Sequence, residues 1–167
     1  MLKYQSTFSE AEKSYFMCLA LEEAKKAFEN EEVPIGCVIV KDKKVIARGW
    51  NIREVSQDAT THAEMNAIRL ANEQEKSWRL EKVALFVTVE PCVMCAGAIL
   101  LSRIEEVYFG ATNAKGGACG TVVNVMDLKA VNHAPYIESG ILQEKCAKLM
   151  SEFFREKRER TKNRKKL

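Results

Sequence analysis

Apolar positions along the chain switch between two periods, and the switches mark its elements. Ser9-Glu10-Ala11-Glu12 has the form of a capping box and predicts a helix start. Met17, Ala20, Leu21, Ala24 and Phe28 then follow at steps of three or four, or side by side, tracing one helical face. Pro34 and Gly36 close the connection. Residues 37–50 (CVIVKDKKVIARGW) hold two β-branched runs around Lys41-Asp42-Lys43-Lys44 and read as a hairpin. Thr61 reads as the N-cap of a helix over about 62–74. Val83 to Val89 is a nearly unbroken apolar run, as a strand covered on both faces requires. Pro91 suits the first position of a helix over about 92–102. Ile104 to Gly110 predicts another strand, Gly116, Gly117 and Gly120 a loop, and Pro135 to Ser139 a short strand. Leu142, Cys146, Leu149 and Phe153 mark a last amphipathic helix. Helices alternating with strands, plus one hairpin, argue for an α/β sandwich around a mixed sheet.

Composition narrows the class. At 167 residues, 47% hydrophobic and 29% charged, the chain suits one globular domain and excludes collagen-like, coiled-coil and wholly disordered readings. No apolar run reaches membrane-spanning length, and MLKYQSTFSEAEKSY does not read as a signal peptide. The expectation is a cytoplasmic protein without a membrane partner. Six cysteines in a reducing compartment point to metal or catalysis before disulfides. The net charge of +3 conceals an asymmetry: residues 155–167 (REKRERTKNRKKL) carry eight Lys/Arg against two Glu, leaving the other 154 residues slightly acidic. The expected division is a domain over 1–154 and a basic helical tail over 155–167. The tail suggests a polyanionic partner, although most charge runs are solvated faces.

Two short motifs carry candidate chemistry. If Pro91 opens a helix, Cys92 and Cys95 lie in its first turn, where backbone N–H groups and the macrodipole favour thiolates. Two thiolates aimed at one point suit Zn²⁺. His62 is the candidate third ligand, since the other histidine, His133, falls in a loop region. Two cysteines and one histidine leave an open tetrahedral position, as catalytic zinc sites do, and zinc brings the pKa of bound water to about 7. Glu64 follows His62 by two residues, turned from it by about 200° on a helix, which suits a proton-transferring carboxylate better than a ligand.

Each motif alone has a plainer reading. Thr61-His62-Ala63-Glu64 is also a legal capping box, and C-x-x-C is also a redox pair or two core thiols. Their joint occurrence by chance is on the order of one in a thousand, which disfavours coincidence. Cys18, Cys37 and Cys146 fall on apolar faces and are expected in the core, and Cys119 lies in the Gly-rich loop.

H-A-E followed by P-C-x-x-C resembles the signature of the zinc-dependent nucleoside and nucleobase deaminases. The likeness extends over nearly the whole chain, through Glu32-Val33-Pro34-Ile35-Gly36, Gly49-Trp50-Asn51, Glu90-Pro91-Cys92-Val93-Met94-Cys95-Ala96-Gly97, Tyr108-Phe109-Gly110-Ala111, Asn124-Val125 and Phe153-Phe154-Arg155. These are similar to the bacterial tRNA-specific adenosine deaminases. The resemblance implies a cytidine-deaminase-like three-layer α/β/α sandwich around a mixed five-stranded sheet. It implies a hydrolase converting adenosine to inosine at the wobble position of an arginine tRNA anticodon. It further implies a homodimer with one Zn²⁺ per subunit held by His62, Cys92 and Cys95, and Glu64 as proton shuttle. Val33, Pro34 and Ile35 should line the base pocket and Asn51 should bond the nucleoside. Phe153, Arg155 and Lys157 or Arg158 should meet the anticodon loop. One position departs from the family: Asn113 stands where an acid is usual. The neutral amide still donates and accepts hydrogen bonds.

Two rivals follow from the same residues. One is a deaminase of a free base or nucleoside such as guanine or cytosine, which needs no basic tail. The other is a non-catalytic zinc module with a closed site, in which Cys119 or His133 is the fourth ligand.

Overall fold

The computed structural model describes residues 4–165; the tail's last two residues, 166 and 167, lie outside the described part. The sheet is mixed and five-stranded, in the order β2-β1-β3-β4-β5. Helix α1 (Glu10–Glu29) starts at the expected capping box, with Ser9 and Glu12 bonding each other's backbone. The hairpin is β1 (Gly36–Lys41) and β2 (Lys44–Trp50). Its two-residue turn puts Asp42 and Lys43 at φ 49° and 61°, the doubly positive pair of a type I′ turn. Strand β3 (Val83–Val89) runs antiparallel to β1 and parallel to β4 (Glu106–Ala111), which pairs in parallel with β5 (Tyr136–Ser139).

Period-two alternation sends each central strand's side chains to two cores. Val38, Val40, Phe86 and Tyr108 point to one face, where Phe16, Met17, Ala20 and Leu21 of α1 cover them. Cys146 of the last helix, α5 (Gln143–Arg164), joins that core. Ile39, Leu85, Val87, Val107 and Phe109 point to the other, under Ala63, Ala67 and Ala71 of α3 (Ala63–Glu75) and Ala96 and Ile99 of α4 (Val93–Leu101). Helices on both faces complete the three-layer sandwich. A four-residue helix, α2 (Arg53–Ser56), and a 3₁₀ turn at Val125–Asp127 are not signalled by any apolar period. Cys18 corrects one expectation. It is exposed, because the buried face of α1 runs through Phe16, Met17, Ala20 and Leu21 and turns position 18 outward; Cys37 and Cys146 are buried as expected.

One glycine sets how closely α3 can approach β2. A Cβ on Gly49 of β2 would lie 2.3 Å from the Ala63 carbonyl oxygen and 2.6 Å from the Ala67 nitrogen. These are backbone atoms in the first turns of α3 and cannot swing aside. Gly49→Ala is expected to cost about 1–3 kcal/mol and to lower the melting temperature by about 3–10 °C. An unchanged melting curve would show that β2 and α3 separate freely.

Candidate active site

His62 is the N-cap of α3, with extended backbone at φ −71° and ψ 158°, rather than its first residue. Thr61, expected to cap this helix, instead donates its hydroxyl to the Asp58 carbonyl and pairs with Ser56. Neither it nor Glu64 serves as a capping-box partner, so that plainer reading of the motif does not hold. The second motif is displaced in the same sense: α4 begins at Val93, Cys92 is its N-cap, and Pro91 precedes the cap. Cys92 and Cys95 thus occupy the N-cap and third helical positions, one turn apart.

The two helix starts bring three ligand atoms together. His62 Nδ1 lies 3.6 Å from Cys92 Sγ and 3.7 Å from Cys95 Sγ, and all three atoms lie within 4.8 Å of one another. With Zn–N and Zn–S bonds of about 2.0 and 2.3 Å, a tetrahedral ion requires N···S edges of about 3.6 Å. The donor set therefore fits zinc in both chemistry and spacing. Hydrogen bonding from the Cys95 thiol, and then from His62, pulls the Cys92 thiol down to about 4, while Cys95 is pushed well above the usual thiol range. These donors favour a thiolate at Cys92, the form that binds a divalent cation. Among the described residues, neither Cys119 nor His133 belongs to this cluster. His133 is buried against the Ile104 carbonyl, 30 residues or more from either motif in sequence and bonded elsewhere in space. A fourth protein ligand, which the non-catalytic reading needs, is missing from the described residues.

Glu64 sits on the first turn of α3 and is 3% exposed. Burial is the largest influence on its carboxyl and pushes it up to about 7. An acid poised there both takes and gives a proton near neutrality. The helical-rotation argument for its position presumed that His62 is itself helical. The separation of Glu64 from the ligand cluster survives without it, since the carboxylate is not one of the three clustered groups.

The expected substrate residues divide into groups. Val33, Ile35, Asn113 and Arg158 line a cleft of about 680 Å³ together with Met150 and Phe154. Pro34 is buried between Val33 and Ile35. Asn51 is buried and ties that segment down: its Nδ2 donates to the Val33 carbonyl at 3.2 Å, and its backbone N–H donates to the Ile35 carbonyl at 3.1 Å. Phe153 is 6% exposed and packs edge-on against Phe28, in a separate groove shared with Lys157. Arg155 is exposed and lines neither cavity. The ring that faces the cleft is Phe154, which the sequence reading passed over. Its signal was present: with Phe153 on the apolar face, its neighbour must face away, one turn from Met150 and Arg158. The Asn113 Oδ1 accepts from the N–H groups of Lys115 and Gly116 and so closes the turn.

Three ligands and a buried acid suit the activation of water and not the stapling of a fold, which makes this a metal-dependent hydrolase. Residues 10–111 match the family described as the cytidine and deoxycytidylate deaminase zinc-binding region; the chain belongs to that family and is a zinc-dependent hydrolytic deaminase. It is 50% identical over 156 residues to a tRNA-specific adenosine deaminase of Streptococcus pyogenes, covering 93% of this chain and 98% of that one. It is 48% identical to the Bacillus subtilis protein of the same name over 147 residues, 88% of this chain and 91% of that one. A solved structure from work on A-to-I editing by tRNA:A34 deaminases at the wobble position superposes with a TM-score of 0.79. It shares 44% identity over 81% of this chain and 99% of that one. A Bacillus subtilis guanine deaminase superposes with a TM-score of 0.56 and 37% identity, over 59% of this chain and 63% of that one.

Proposed function

We propose that this deaminase converts adenosine to inosine at wobble position 34 of an arginine tRNA anticodon, in the cytoplasm, as a homodimer with one zinc per subunit. The burial of Glu64 beside the three-ligand set carries the chemistry. The substrate rests on the likeness, over nearly the full length, to proteins named tRNA-specific adenosine deaminase.

Zinc held by His62, Cys92 and Cys95 would acidify a water so that it attacks at neutral pH. Glu64 takes the proton released on attack at C6 of adenine and delivers it to N1. Glu64 then takes the remaining hydroxyl proton of the tetrahedral adduct and passes it to the amino group, which leaves as ammonia, so water and adenosine yield inosine and ammonia without any redox partner. Val33, Pro34 and Ile35 form the wall beside the base. Asn51 holds that wall and offers its remaining amide proton to the nucleoside. Asn113 and Phe154 border the cleft, where unpaired anticodon bases can stack on the ring. Phe153 serves indirectly, by seating α5 on α1.

Residues 155–167 act as a basic extension of a deaminase domain over 1–154, with Arg155, Lys157 and Arg158 contacting phosphates. Val93, Gly97 and Leu101, four residues apart on α4, present an outward stripe with Val93 57% and Leu101 70% exposed, which supports pairing of two copies.

Purified protein given arginine tRNA with adenosine at position 34 is expected to form inosine there and leave free adenosine, cytidine, cytosine and guanine unchanged. Removal of residues after Phe154 is expected to weaken tRNA binding and flatten its salt dependence. Turnover of free guanine or another free base, with the tRNA untouched, would replace this reading with the free-base one that the guanine deaminase likeness favours.

A further inference from the structure

Glu90 lies immediately before Pro91 and Cys92 and is 2% exposed. A carboxylate buried so deeply requires several donors, and it has them all from one loop. Its Oε2 accepts the Asn113 backbone N–H at 3.1 Å and the Thr121 hydroxyl. Its Oε1 accepts the backbone N–H groups of Cys119 at 3.0 Å and Thr121 at 3.1 Å. The contacts span both ends of a loop of nine residues' reach, and between them Gly117 donates its own N–H to the Asn113 carbonyl and Ala118 donates to the Pro91 carbonyl. A Cβ on Gly117 would lie 2.3 Å from Glu90 Oε2 and 2.7 Å from the Asn113 carbonyl oxygen, a backbone atom of the same loop, so a side chain there pushes the loop off the carboxylate. Thr112, Asn113, Ala114 and Lys115, at the start of this loop, form one wall of the cleft.

We propose that Glu90 is a positioning residue that clamps the 113–121 loop to the strand end carrying the metal-binding turn, and so sets the wall that meets the nucleotides flanking the target base. Charge-assisted hydrogen bonds to a buried acceptor hold the loop where neutral pairs would let it exchange. Glu90 touches no reacting atom. Its effect reaches the substrate through Asn113 and its neighbours.

Glu90→Gln keeps the shape but turns an amide N–H toward backbone N–H groups. Gly117→Ala leaves the acid intact and displaces the loop from it. Both variants are expected to speed amide hydrogen exchange at Asn113, Cys119 and Thr121 about ten-fold or more. Both should raise KM for the tRNA about ten-fold while zinc content is unchanged and kcat stays within about two-fold. Glu90→Asp should recover part of the protection. Unchanged exchange at these amides in both variants would overturn the clamp. So would loss of zinc with a fall in kcat, since Glu90 would then support Cys92 instead of the loop. The KM arm rests on the proposed tRNA substrate and the exchange arm does not. A wild-type protein inactive on tRNA defeats that substrate while leaving the clamp to be judged by exchange.

Discussion

Glu64→Gln is expected to lower turnover by about 10³–10⁴-fold while the protein keeps its zinc and its melting temperature. The geometry separates the two roles. The candidate ligand atoms are those of His62, Cys92 and Cys95, whose N···S distances match a tetrahedral ion, and Glu64 is outside that cluster. Its carboxyl is buried and desolvation raises it to about 7, the direction needed by a group that accepts from water and donates to the base. Glutamine has nearly the same volume and keeps hydrogen bonding, but it cannot carry a proton across. Single-turnover kinetics together with metal analysis test this. A variant that loses zinc would make Glu64 a ligand, and one that keeps full activity would assign the proton transfer to another group.

Cys95→Ala is expected to remove both metal and activity. Cys95 is fully buried, and the two remaining candidate ligands, both partly exposed, do not hold zinc against solvent. The same end point should follow from chelation of the wild-type protein, with recovery on adding Zn²⁺. The variant should not recover. Activity at wild-type zinc occupancy in Cys95→Ala would exclude this sulfur as a ligand and leave His62 and Cys92 in need of another. The neighbouring Cys119→Ala serves as a control and should retain its zinc, because that thiol is outside the cluster.

Several features of the fold were legible because their signals are local. The capping box at Ser9, the turn at Asp42-Lys43 and the apolar run of β3 each specify an element through a few neighbouring residues, and each forms as expected. The His62, Cys92 and Cys95 cluster was legible for a related reason: a C-x-x-C at a helix start presents both sulfurs to one side whatever the rest of the chain does, and two histidines leave few choices for the third donor. Element ends were less legible. Thr61 and Pro91 were each one step from the true cap, since His62 and Cys92 take the extended backbone of an N-cap without a side-chain capping bond to announce it.

Side-chain placement across elements had no local signal. Apolar spacing on α1 excluded Cys18 from the core only once the exact buried face was known, and the spacing that turned Phe154 away from Phe153 did not say that a cleft lay on that side. Glu90 reads in sequence as one more acid before a proline; its hydrogen-bond partners lie 23 to 31 residues further along the chain. By itself the sequence determined which chemical groups are available and which elements carry them, because propensity, capping and spacing act within a turn or two of the backbone. Only the tertiary structure decided that His62 reaches both cysteines, that Glu64 loses its water and that Glu90 gathers a loop. Distances between separate elements and exclusion of solvent exist only after the sheet and its two helical layers have closed.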